Sequence, residues 1–232
     1  MSNEQTNNIV TVEIDRLTMY TKAPGTENER SSLTWQVVDM GTGYGYNPRI
    51  TVWTRVPTDS KRPIDAPLNA HSMEMLLQLI EQVCDAEPGF QAPALTCEVP
   101  MKDESTGERM KGFRVLSKVV VGKDKTGVVR IAVISADPER PQISFKFDTG
   151  MVHHLVHKDG SPYDEASCSI LAARAAVRVL RNVFTKYLPL VTDQDRRTQK
   201  EFREKRMGGA QQRPQRQQNT PVNAEGFEDI TF

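Results

Sequence analysis

The hydrophobic period of this chain switches from two residues to about 3.6 twice, and that order of events limits the folds open to it. Residues 9–21 (IVTVEIDRLTMYT) set Val12 and Ile14 against Glu13 and Asp15, the alternation of a half-buried strand. Residues 33–40 and 49–56 are β-branched and aromatic runs joined by GTGYGYNP, a glycine-rich hairpin loop. Residues 57–67 hold three prolines and read as an irregular crossing. Leu76, Leu79, Ile80 and Val83 then recur at helical spacing, which predicts a helix over residues 70–85. Asn69 or Ser72 is its N-cap, and Glu87-Pro88-Gly89 stops it.

The same succession follows again. Residues 94–99, 113–121, 128–135 and 142–147 are short strand candidates, separated by the turns KDESTGE, GKDKTG and ADPERP, and residues 151–157 are a further short strand. A long helix begins at Ser161-Pro162, with serine as N-cap, proline at N1, and Asp164 and Glu165 at its positive end. Ile170, Ala173, Val177, Leu180, Phe184 and Tyr187 form its apolar face, Arg174, Arg178 and Arg181 lie off it, and Pro189 marks its end. Strands then helix, taken twice, predict an α+β body of two antiparallel sheet-plus-helix halves over residues 1–191. Beyond it, residues 192–207 are charged and helix-permissive without an apolar face. Residues 208–224 are Gly/Gln/Arg/Pro-rich and read as a disordered linker, and residues 225–232 form an acidic-aromatic tip.

The 30 Lys+Arg and 30 Asp+Glu of the 232 residues cancel only as a sum. Residues 1–110 carry 9 basic and 16 acidic side chains, and residues 111–190 carry 13 and 7. Residues 196–216 hold 8 basic and 2 acidic residues, and three acids then fall in residues 225–232. Blocks of one sign on a neutral chain point to a charged ligand or partner. The chain has no apolar run of membrane-spanning length and no secretory h-region, so no membrane partner is expected. Cys84, Cys97 and Cys168, odd in number and far apart, predict a reducing cytoplasmic setting rather than a disulfide framework.

The tip, Glu225-Gly226-Phe227-Glu228-Asp229-Ile230-Thr231-Phe232, interleaves acids with Phe227, Ile230 and a terminal Phe232. Such a peptide suits a basic groove with an apolar pocket, where Glu228, Asp229 and the terminal carboxylate add charge-assisted contacts. This arrangement resembles the single-stranded DNA-binding proteins of bacteria and bacteriophages, whose Gln/Gly/Pro-rich linkers end in acids and a terminal Phe. The bacterial family ends Ile-Pro-Phe; here Thr231 replaces the proline and the consecutive acids are fewer. The resemblance covers about the last 25 residues. It implies that the tip recruits replication or repair proteins and competes with DNA for the protein's own basic groove.

In the body, Tyr20, Trp35, Tyr44, Tyr46 and Trp53 sit on or beside the first strands, near Arg49 and Arg55. Base stacking on aromatics, worth ~1–3 kcal/mol per base, is the sequence-tolerant way to hold unpaired nucleic acid. Trp35 and Trp53 are equally readable as core. Lys111, Arg114, Lys118, Lys123, Lys125, Arg130 and Lys146 lie in or beside the second strand set and read as a phosphate track. Arg114 and Lys118 share one strand face if no bulge intervenes. The twofold strands-then-helix order also resembles the fold of Whirly proteins, Pur-alpha repeats and single-strand-binding transcription coactivators. There, curved antiparallel sheets bind unpaired DNA. An OB-fold barrel with added helices is the alternative.

His153, His154 and His157 lack a second ligand pair, so no metal or other cofactor is expected. No dinucleotide loop, P-loop, zinc-protease or nucleophile-elbow motif is present, which favours binding over catalysis. The reading is a non-enzymatic, sequence-independent single-stranded DNA-binding protein of phage-type replication and recombination, a homodimer or higher oligomer. A transcription regulator or RNA-binding module on the same surface is one alternative. An adaptor, a nuclease or a strand-annealing enzyme is another. The acidic first half has no role in this reading.

Overall fold

The structure, a computed structural model, describes residues 10–13, 17–39, 46–103, 105–106, 109–149 and 153–187. Two antiparallel sheets are each followed by a helix. Sheet 1 contains β1 (Val10–Glu13), β2 (Met19–Lys22), β3 (Arg30–Asp39), β4 (Tyr46–Trp53) and β5 (Ile64–Pro67), and α1 (Ala70–Asp85) follows it. Sheet 2 contains β6 (Leu95–Lys102), β7 (Arg109–Lys123), β8 (Val129–Ser135) and β9 (Ser144–Lys146) in that spatial order, and α2 (Glu165–Tyr187) follows it. The fold is the expected α+β pair of sheet-plus-helix halves. Neither sheet closes on itself, so the barrel alternative is not adopted.

The expected first strand is two. β1 pairs with the far end of β3 (Glu13 opposite Gln36) and β2 with its near end (Met19 opposite Leu33). Between Glu13 and Met19 the chain has five residues where β3 has only Thr34 and Trp35. One straight strand cannot absorb that excess, so two short strands share the edge. The proline-rich crossing contains β5, an edge strand beside β4 whose Ile64 and Ala66 face inward. Its prolines are tolerated because an edge strand pairs on one side only. No strand forms at residues 153–157, where Val156 makes an isolated bridge to Pro162.

α1 begins as expected, with the Asn69 side chain accepting from the Ser72 amide at 2.7 Å. α2 starts at Glu165, three residues later than a cap at Ser161 would place it. Its cap is Asp164, whose carboxylate accepts from the Ser167 amide at 2.8 Å and whose carbonyl accepts from Cys168. Ser161 instead closes the preceding turn on Asp159.

Leu33, Trp35, Ile50 and Val52 of sheet 1, Val119, Ile131, Val133 and Phe145 of sheet 2, and the apolar faces of both helices form one buried cluster. The two halves therefore share a core. α1 and α2 pack side by side, and β5 meets β7 and β8. The face of sheet 1 away from this core carries Tyr20, Ser32, Arg49, Thr51 and Trp53.

Candidate nucleic-acid interface

Cross-strand partners project from the same face of a sheet, so register decides which residues form a site. Tyr20 pairs with Ser32, and Ser32 with Trp53. Tyr20 (59% exposed) and Trp53 (42% exposed) thus flank a small serine at the exposed end of this outer face of sheet 1, whose Thr34, Gln36 and Thr51 are buried. They stand two strand spacings apart, about 10 Å. The Arg55 guanidinium lies 5.3 Å from the centroid of the Trp53 ring. Arg55 has φ +52°, the one positive φ outside glycine among the described residues. A left-handed arginine is a strained conformation that the surroundings must hold, and here it turns the guanidinium back over the indole.

Along β4, Arg49 is four residues from Trp53 on the same face, about 14 Å away. It pairs with Asp65 of β5 at 3.9 Å. Thr51, between Arg49 and Trp53, donates its hydroxyl to Asp65 at 2.8 Å and lies 3.2 Å from the Gln36 side-chain oxygen, which links β3, β4 and β5. Beyond Arg49 the face opens into a groove of about 690 Å³ between β4–β5 and the β6–β7 hairpin. Val38, Pro67, Val99 and Leu116 make its apolar walls, and two arginines and two acids line it from the two sheets, Arg49 and Asp65 from the first and Arg114 and Glu98 from the second.

Arg114 reaches that groove because of a bulge. Cys97 pairs with Ser117, but Glu98 pairs with Val115, leaving Leu116 as an extra residue on β7. The extra residue inverts the alternation. Arg114 shares the face of Val99, while Lys118, opposite Thr96, is on the other face. The expected sharing of one face by Arg114 and Lys118 does not hold.

Other expected contacts are also placed differently. Trp35 is completely buried in the core and is not a stacking residue. Its position on β3 alternates with the outer face, so its ring points to α1 and sheet 2. Lys123 is 5% exposed, and its ammonium donates to the carbonyls of Cys84 at 3.0 Å and Ala86 at 2.5 Å. It closes the C-terminus of α1 and holds no phosphate. Arg130 is bound to Asp124 at 2.8 Å, and Lys146 to Glu165 at 2.7 Å. On the outer face of sheet 2, buried Val120 and Ala132 lie between the Lys118–Ile134 pair and the Arg130–Lys146 row. The seven expected cations are therefore not one track: Lys111 and Arg114 are exposed on the β6–β7 arm, and Lys125 is exposed at a turn. Of Tyr46 only the backbone, in β4, is described. Tyr44 and the tip residues Phe227, Glu228, Asp229, Ile230 and Phe232 lie outside the described residues.

Next to Trp53 is a second pocket, of about 430 Å³, where Arg55, Lys61 and Arg140 surround Asp59. Burial alone would raise the Asp59 pKa. Hydrogen bonds from Arg140 (2.9 Å) and Thr54 (2.8 Å) outweigh it and hold the carboxyl below its ordinary range. Asp59 is thus an anchor for Arg140.

Among the described residues no group of three His, Cys, Asp or Glu could hold a metal ion. His153, His154 and His157 are exposed, and His157 stacks on Tyr163 at 4.5 Å. Burial pushes the thiols of Cys84 and Cys97 up to about 11, so neither is a nucleophile at neutral pH. Among the described residues no helix is long and apolar enough to cross a membrane. Phe113 and Met110, exposed beside Arg114, were not singled out from the sequence, although the MKGFR run places both beside cations. No family model, curated protein or solved structure matches this chain significantly.

Proposed function

We propose that the protein binds single-stranded DNA without sequence preference, at the exposed end of the outer face of sheet 1, and acts in replication and recombination without catalysing a reaction. The observation that carries this reading is the row of exposed Tyr20 and Trp53, with Arg55 over the indole and Arg49 and Arg114 continuing the line into the groove. Aromatic faces spaced along a basic path bind bases by stacking and phosphates by charge, and neither contact reads sequence. The acidic-aromatic tip at residues 225–232 recruits partner proteins in this reading.

The two tryptophans make the test direct, because Trp35 is buried and only Trp53 can meet a ligand. Titration with oligo-dT should quench the Trp53 emission, with weaker binding at higher salt and weaker binding of duplex. Trp53→Ala should cost about 1–3 kcal/mol of affinity, measured by anisotropy of labelled oligonucleotide. Deletion of residues 225–232 should leave that affinity intact or stronger. Equal binding of duplex and single strand, or an unchanged Trp53→Ala affinity, would overturn the assignment. Preference for oligo-U over oligo-dT would move it to RNA.

A further inference from the structure

β7 has fifteen residues, but β8 beside it has seven and ends at Ser135, opposite Ser117. Arg109 and residues 113–115 therefore pair with β6 alone, a register shift sets residues 110–112 against Met101 only, and among the described residues no strand covers the other edge of this arm. Such an edge offers backbone N–H and C=O groups to any extended ligand, and folded proteins usually blunt or occupy it. This one carries Phe113, 58% exposed, with Met110 and Met101 exposed nearby. β7 holds five cations (Arg109, Lys111, Arg114, Lys118 and Lys123) and no acid, and Lys111 and Arg114 are exposed on the arm. Pairing two such edges across a two-fold axis would set like charges against each other. An anionic chain meets the opposite field. Phe113 and Arg114 are neighbours, so they project from opposite faces of the arm, and Arg114 already lines the groove with Arg49.

We infer that the end of the β6–β7 arm is a second single-strand contact. A strand lying on sheet 1 leaves the groove past Arg114, crosses the edge of β7 and stacks a base on Phe113, its phosphates meeting Lys111 and backbone N–H groups. This inference rests on the proposed function and extends it: the full ligand is a strand long enough to reach two separate stacking stations, Trp53 and Phe113.

Full-length protein is titrated with oligo-dT of about 5 and about 20 nucleotides, which bracket the ~4–16 nucleotides of common single-strand sites. Trp53 emission, which sees only the sheet 1 station, is the readout for wild type and the Phe113 variants, and anisotropy of a labelled oligonucleotide is the readout for Trp53→Ala. Phe113→Ala and Phe113→Leu should weaken binding of the longer oligonucleotide roughly 5- to 150-fold and leave the shorter one unchanged. Phe113→Tyr, which keeps the ring, should bind like wild type. If Phe113→Ala binds the longer oligonucleotide as wild type does while Trp53→Ala weakens both lengths, the arm contact is wrong and the sheet 1 reading stands. If wild type binds neither length at low salt, the proposed function fails and this inference with it. If light scattering shows that Phe113→Ala converts an oligomer to a monomer, the arm belongs to a second copy of the chain and the inference is overturned.

Discussion

Asp124 organises the β7–β8 turn with both carboxylate oxygens. One accepts from the Thr126 hydroxyl at 2.6 Å and from the amides of Thr126 and Val128 at 2.9 and 3.0 Å; the other accepts from Arg130 at 2.8 Å. Burial alone would raise its pKa, but these donors together lower it from 3.8 to about 2. A carboxylate with a depressed folded pKa stabilises the fold above its unfolded value and loses that contribution as pH falls through the folded one. The difference is roughly 2–3 kcal/mol. Asp124→Asn should therefore unfold at lower urea than wild type at neutral pH, and the gap should close between about pH 4 and pH 2. A gap that stays constant over that window would assign the effect to shape rather than charge. The same scale shows what one residue's surroundings conceal in a sequence. Trp35 and Trp53 sit in similar β-branched runs, yet one fills the core and the other faces solvent. Residue identity carries no side; only the pairing with β2 and β4 supplies it.

α1 ends at Asp85 with no basic residue in its last turn, so its own sequence leaves the negative end of the helix dipole unanswered. Lys123 answers it from the end of β7, and the Gly89 amide donates to the Lys123 carbonyl at 2.9 Å, binding the chain after the helix to the same strand. Lys123→Met should cost about 2–4 kcal/mol of stability, since it strips charged hydrogen bonds from two helix-end carbonyls. Affinity for oligo-dT, measured on the folded variant, should not change. A loss of affinity at unchanged stability would return Lys123 to the binding surface. Elements with a strong period were legible: α1 and the body of α2 lie where the apolar spacing puts them. What escaped was set by neighbours rather than by local sequence. β5 is a strand because β4 offers it an edge, and the first strand breaks because β3 is too short for it. The bulge at Leu116, which moves Arg114 into the groove, is a mismatch of two strands' lengths that neither strand shows alone.

At the scale of the whole molecule the charge blocks acquire a second meaning. The acids of the first half meet the bases of the second: Arg181 of α2 grips Glu74 and Glu81 of α1 at 2.9 and 2.7 Å, Arg174 meets Asp85 at 2.5 Å, and Arg140 is bound to Asp59. Lys61 returns the arrangement, meeting Asp137 at 2.5 Å. The Ser117 hydroxyl adds a bond to the Asp65 carbonyl at 2.8 Å. The segregation that reads as a DNA-binding signal in the sequence is in good part the complementarity of two halves of one body. The exposed pairs contribute little individually, but Arg140–Asp59 is buried, and the core beneath these contacts is continuous across both halves. Neither half can expose its inner sheet face to water without losing that shared core, so the two should unfold together. Both tryptophans lie in the first half, whereas helix ellipticity comes from α1 and α2 alike. Urea unfolding followed by tryptophan emission and by far-ultraviolet ellipticity should therefore give one transition with a common midpoint. Two separated midpoints, with the emission change complete before or after the loss of ellipticity, would mean that the halves are independent units and that their ion pairs only dock them.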